Sequence, residues 1–139
     1  MRRSPNRLLG ILFGGANLLA GVLGFVPAFV TADGLLFGAL GVNPALNILH
    51  LILGAALLAA ALTGLDSART VNSAVGTALL VLGLVGLFLV GSPVNVLALN
   101  VADNVMHFGS TAALLAVGLG VEKRSEPVNP PNPASPALG

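Results

Sequence analysis

The chain contains no cysteine, no tryptophan and no tyrosine. Without Cys, disulfides, thiolate chemistry and Cys-based metal sites are excluded. Without Trp or Tyr the usual interfacial aromatic belt is missing, which leaves six Phe as anchors. Charge is scarce as well. Only 8% of the 139 residues are charged, against about 25% in a soluble domain. The net charge of +1 is too small to recruit nucleic acid or another acidic partner. What remains is 55% hydrophobic, with a mean hydropathy of +0.96. Most of such a surface must face something apolar, so the lipid bilayer is the expected partner. The length suits one domain.

Four long apolar runs, at about 8–26, 45–65, 71–90 and 104–121, contain no Asp, Glu, Lys or Arg. Each is near the ~20 residues that cross a ~30 Å hydrocarbon core as a helix. The runs are continuous, whereas a spanning barrel needs alternation. The spacing therefore predicts an all-α integral membrane four-helix bundle over 8–121. A short segment, 1–7, precedes it, and a Pro-rich tail, 122–139, follows. Asn43-Pro44 reads as an N-cap with Pro at the first helical position. Asp103, or Asn100 before it, is placed to cap helix 4. Gly64 and Asp66-Ser67-Ala68-Arg69 read as a tight turn between helices 2 and 3. Gly91-Ser92-Pro93 ends helix 3.

Arg2, Arg3, Arg7, Arg69, Lys123 and Arg124 all fall on one side of this topology, and the two opposite loops carry no Lys or Arg. The positive-inside rule then places both termini and the short middle loop in the cytoplasm, in a bacterial cytoplasmic membrane. The first run follows three Arg, as a signal peptide would. At about 19 residues it exceeds the usual 7–15, so it reads as a span. On the outer side, Gly34-Leu35-Leu36-Phe37-Gly38-Ala39-Leu40 is apolar but too short to cross. It is expected to lie in the interface as a half-helix or to pack across the bundle mouth. Pro127, Pro130, Pro133 and Pro136 recur every third residue, the period of polyproline II, in a tail whose composition suits a solvated, disordered segment.

One polar motif occurs twice. Asn47-Ile48-Leu49-His50 opens helix 2 and Asn104-Val105-Met106-His107 opens helix 4, 57 residues apart. Asn6 and Gly10 resemble Asn72 and Gly76 at a spacing of 66. Two helical hairpins, the first with a longer outer loop, account for both spacings. Each hairpin has an even number of spans, so the copies form a parallel repeat about an axis along the membrane normal. Asn and His three apart share a helix face, and both pairs fall about 6–9 Å below their helix starts at 1.5 Å per residue. At that depth a polar side chain turns inward or finds a partner.

Two kinds of chemistry fit. Asn47, His50, Asn104 and His107, with Asn17 of helix 1, would clamp neighbouring helices by hydrogen bonds. Alternatively His50 and His107 would form a bis-His cofactor site for haem or a divalent metal, or serve proton or quinone chemistry. Asp103 precedes His107 by one turn, where the first half has Leu46. No phosphate loop, nucleophile elbow or paired deep carboxylates are present, so no catalytic residue is assigned. A dedicated metal set is not assigned either.

The residues Asn47-Ile48-Leu49-His50-Leu51-Ile52-Leu53-Gly54, together with Ala102-Asp103-Asn104-Val105-Met106-His107 and the four-run topology, resemble a bacterial four-helix membrane family, domain of unknown function number 4383. The resemblance covers about 5–121. Phe108-Gly109-Ser110 departs from the Leu run that helix 2 would suggest. The resemblance implies a membrane fold and no activity. The expected function is a small non-enzymatic accessory or structural subunit, packing against the bilayer and other membrane subunits. A redox subunit with His50 and His107 as ligands is the rival, and a small transporter or channel a third reading.

Overall fold

The computed structural model describes residues 4–121; the expected Pro-rich tail lies outside the described residues. The fold is all-helical apart from one two-stranded hairpin. Helix α1 spans Pro5–Leu23, α2 Pro44–Thr63, α3 Leu65–Leu89 and α4 Val101–Ala116. Strands β1, Leu35–Leu36, and β2, Leu40–Gly41, lie in the α1–α2 connection, and a π-helical turn, Val117–Val121, continues α4.

Local chemistry sets the boundaries, and several depart from the hydropathy reading. Ser4 caps α1 by accepting from the Arg7 N–H at 3.3 Å, with Pro5 in the first turn, so α1 starts before the apolar run does. It stops at Leu23, not near 26, and Pro27–Phe29 forms a separate 3-10 turn. Asn43 caps α2 by accepting from Leu46 N–H at 2.9 Å. The expected tight turn at Asp66-Ser67-Ala68-Arg69 is absent. Gly64 alone, in extended backbone, separates α2 from α3, and these four residues form the first turn of α3. Asp66 complements the N-terminal dipole there, and Ala68 is fully buried. Helix α4 begins at Val101 because Asn100 and Asp103 form a capping box.

Segment 34–40 is not a half-helix. Its register pairs Leu35 with Gly41 and Leu36 with Leu40, and Phe37 (φ 51°) and Gly38 (φ 73°) turn the chain in the left-handed region, which no helix tolerates. The hairpin packs across the ends of the helices. Asn43 Nδ2 donates to Val96 O at 2.7 Å, Asn100 Nδ2 to Ala39 O at 2.7 Å, and Gly41 N–H to Asp103 Oδ2 at 3.1 Å. These bonds stitch the 90–100 connection to the hairpin, forming a cap over one end.

Helix α1 packs chiefly along α2, and α3 along α4. The inward faces carry small and polar residues: Asn6, Gly10, Gly14 and Gly21 on α1. Glycine lets backbones meet. A Cβ on Gly54 would lie 2.7 Å from Leu18 N and 2.8 Å from Gly14 O. The apolar core is Leu57, Val75, Leu79 and Leu114. Large apolar side chains point outward instead, among them Leu12, Leu19, Ile48, Ile52, Leu87 and Phe88. Outward Leu and Ile around an Asn- and Gly-rich interior is the arrangement a lipid environment favours. By length and composition α1, α2 and α3 are each able to cross a membrane. Helix α4, at 16 residues, is shorter.

Candidate functional site

The two Asn-x-x-His segments are positioned by the caps beneath the hairpin. One turn below Pro44, the buried Asn47 amide fills the space beside Gly24, where a Cβ would collide with it. One turn below the α4 cap, Asn104 does the same beside Gly86. The amide oxygens of both have no hydrogen-bond partner. These oxygens therefore do not make the interhelical bonds expected of clamps; the amides pack against glycine.

His50 and His107 follow, and both line one cavity of about 110 Å³. Asn17 of α1, with Asp103 and Ser110 of α4, joins them there. Leu40 of the hairpin and Leu79 of α3 add apolar surface to its lining. His107 is 5% exposed, and the Nδ1 atoms of both imidazoles are buried without a partner. Asn17 donates to Phe13 O of its own helix at 2.8 Å, so this bond holds its own turn instead of bridging helices. Asp103 Oδ2 is held by Asn100 N–H at 2.8 Å as well as by Gly41 N–H. Carboxylate, amide, hydroxyl and two imidazoles thus converge without a cation. Arg7 and Arg69 lie at the other end, donating from Nε to Ala61 O at 2.7 Å and to Gly118 O at 3.4 Å.

Of the residues singled out in the sequence, the cavity gathers Asn17, His50, Asp103 and His107, and leaves Asn47 and Asn104 outside its lining. Ser110 was visible only as part of the departure at Phe108-Gly109-Ser110. A buried interhelical polar network lies elsewhere. Asn72 Nδ2 donates to Asn6 O at 2.9 Å and to Asn6 Oδ1 at 3.1 Å, and Asn6 Nδ2 donates to Val117 O at 2.9 Å. This ties α1, α3 and the end of α4 at the uncapped end of the molecule. In the sequence the two Asn are visible only as repeat markers.

Such an arrangement can hold a small polar molecule by hydrogen bonds, since an orphaned buried polar atom costs about 1–3 kcal/mol until something satisfies it. Neither a curated protein nor a solved structure matches the chain. A family described as a domain of unknown function (DUF4383) matches residues 7–120. That match takes in the whole cavity lining and every helix but for the first two residues of α1 and the last of the π-helical turn, and the chain belongs to this family.

Proposed function

We propose that the chain is a small non-enzymatic accessory protein of the bacterial cytoplasmic membrane, with four spans and both termini cytoplasmic. On its outer side it keeps a pocket that binds a small molecule without transforming it. The observation carrying this reading is the convergence of His50 and His107, each with an unpartnered Nδ1, on one cavity.

The fourth span is α4 together with its π-helical continuation, which reaches Val121 and matches the other helices in length. Orientation follows Arg7 and Arg69 at the uncapped end and the absence of Lys and Arg from the 24–43 and 90–100 connections. What supports a duplicated hairpin is recurrence of contacts. Gly21 lies against Leu51 and Gly83 against Phe108; Gly24 meets Asn47 and Gly86 meets Asn104. Arg7 reaches Ala61 O, and Arg69 reaches Gly118 O. These pairs relate α1 to α3 by 62 residues and α2 to α4 by 57. The packing register is thus one helical turn from the spacing of 66 that Asn6 and Asn72 suggest.

Binding is favoured over catalysis because, among the described residues, no hydrogen bond joins either imidazole to Ser110 or Asp103. A base and nucleophile need that contact. Haem ligation draws no support from a cavity of about 110 Å³, since pockets for cofactors and drug-sized ligands run from roughly 300 to 1,000 Å³. For a metal, no group of three His, Cys, Asp or Glu able to hold an ion occurs among the described residues.

Thermal unfolding of the purified chain in detergent separates pocket from clasp. In a pocket, His50→Leu and His107→Leu leave the midpoint unchanged or raise it, because an unsatisfied polar atom is removed at similar volume. A fall of several degrees in both variants would identify the histidines as structural clasps and end the binding reading.

A further inference from the structure

The pocket has a counterpart elsewhere in the molecule. A second cleft, between α2 and α3, is lined by Leu49, Leu53, Ala78, Val81, Leu82 and Val85. The same spacings of 57 and 62 carry Leu49 to Met106, Leu53 to Ser110, Ala78 to Ala16 and Leu82 to Ala20, if helix order is exchanged. Met106, Ser110, Ala16 and Ala20 all line the His50/His107 cavity. The two clefts therefore occupy equivalent places in the two halves, and only one is polar. Ser110 stands where the mate has Leu53, and Asp103 where α2 has Leu46. A packing requirement common to both halves does not explain polarity confined to one.

The geometry of the polar cleft indicates where a ligand comes from. Its exposed lining, Ala16 of α1 and Met106 of α4 (56% exposed), belongs to apolar helix faces. At its hairpin end lie Leu40 and the bond from Gly41 N–H to Asp103. With its exposed lining on α1 and α4 and Leu40 at the hairpin end, the cleft is reached from between those two helices, the side that faces lipid in the four-span reading. A ligand reaching it is dissolved in the bilayer, with an apolar body that stays there and a head that turns inward.

The head is defined by charge and size. With Asp103 present and no Lys or Arg in the lining, a phosphate or carboxylate head is repelled. Two imidazoles, an amide and a hydroxyl match uncharged hydroxyl groups. A cavity of about 110 Å³ holds several water-sized groups, at ~10–15 Å³ of such space for each. That suits a small polar head such as a glycerol diol and is smaller than the ~150 Å³ cavity that takes benzene.

We infer that the α1–α4 cleft binds the glycerol diol of a single-chain neutral lipid, a monoacylglycerol, one hydroxyl to each imidazole. This rests on the pocket reading above and adds the ligand class to it. The test uses the full chain in phosphatidylcholine nanodiscs containing monoolein, methyl oleate, a quinol or phosphatidylglycerol, with retained lipid counted by native mass spectrometry. The expected result is one monoolein per chain, no retained methyl oleate, and at least a tenfold loss of retention in His107→Leu. Ser110→Ala, a milder change, lowers retention severalfold, whereas Leu53→Ala in the mate cleft leaves it unchanged. Circular dichroism confirms that each variant is helical. Equal retention of the two lipids, or full retention by both His107→Leu and Ser110→Ala, overturns the inference. Selective retention of a quinol or of phosphatidylglycerol in place of monoolein also overturns it. If monoolein fails while the histidine variants remain thermally intact, the ligand class is wrong and the pocket stands.

Discussion

Asn72 and His107 are both buried polar residues on helices, yet their surroundings give them opposite consequences for stability. Asn72 donates twice to Asn6, so its substitution breaks contacts between α1 and α3. His107 Nδ1 has no hydrogen-bond partner, so its replacement by Leu breaks no bond at that atom. Asn72→Leu is expected to cost about 1–2 kcal/mol, the range for hydrogen bonds between helices in membranes. Unfolding in mixed micelles with increasing dodecyl sulfate measures it, and an unchanged midpoint would show that the Asn6–Asn72 contact is dispensable. The sequence draws attention to Asn17, His50, Asp103 and His107, which share one cavity lining, because an apolar chain leaves few polar side chains inside. It does not separate clamp from pocket. That distinction depends on which carbonyl or cavity each side chain meets across the interior, and the spacing of Asn47 from His50 is silent on this.

Element packing turns on close backbone approach. Gly54 sits where α2 meets α1, and a Cβ there would press on Leu18 N and Gly14 O, backbone atoms that cannot swing away. Gly54→Ala is expected to destabilise by about 1–3 kcal/mol, as overpacking does. Gly109→Ala, where an added Cβ meets nothing within 4 Å, is expected to be neutral or to stabilise by up to about 1 kcal/mol through helix propensity. Thermal unfolding of the two variants side by side checks the contrast, and a comparable loss in both would remove the close-approach argument. Helix caps were legible at this scale, since Asn43-Pro44 and the Asn100–Asp103 pair act through neighbours in sequence. The start of α3 was not. The polar run 66–69 looks like a turn, but burial of Ala68 and the dipole contact of Asp66 hold it helical. The hairpin was missed because the left-handed Phe37 is a rare conformation for a non-glycine residue.

For the whole molecule, hydropathy picks out four candidate spans, of which α1, α2 and α3 have the length and apolarity to cross a membrane. In the proposed duplication the relative register was less legible, because eighteen glycines allow several self-alignments and the contacts of Gly24 and Gly86 favour one. The central claim is that the capped, histidine-bearing end faces outside while Arg7 and Arg69 face the cytoplasm. The natural absence of Cys makes single-cysteine labelling in intact cells the most direct test. With a membrane-impermeant maleimide, Asp33→Cys before α2 and Ser92→Cys after α3 are expected to react at once. Asp66→Cys, in the first turn of α3, is expected to react only after permeabilisation. Labelling of Asp66→Cys from outside, with protection of Asp33→Cys and Ser92→Cys, would place the pocket on the cytoplasmic side and contradict the account.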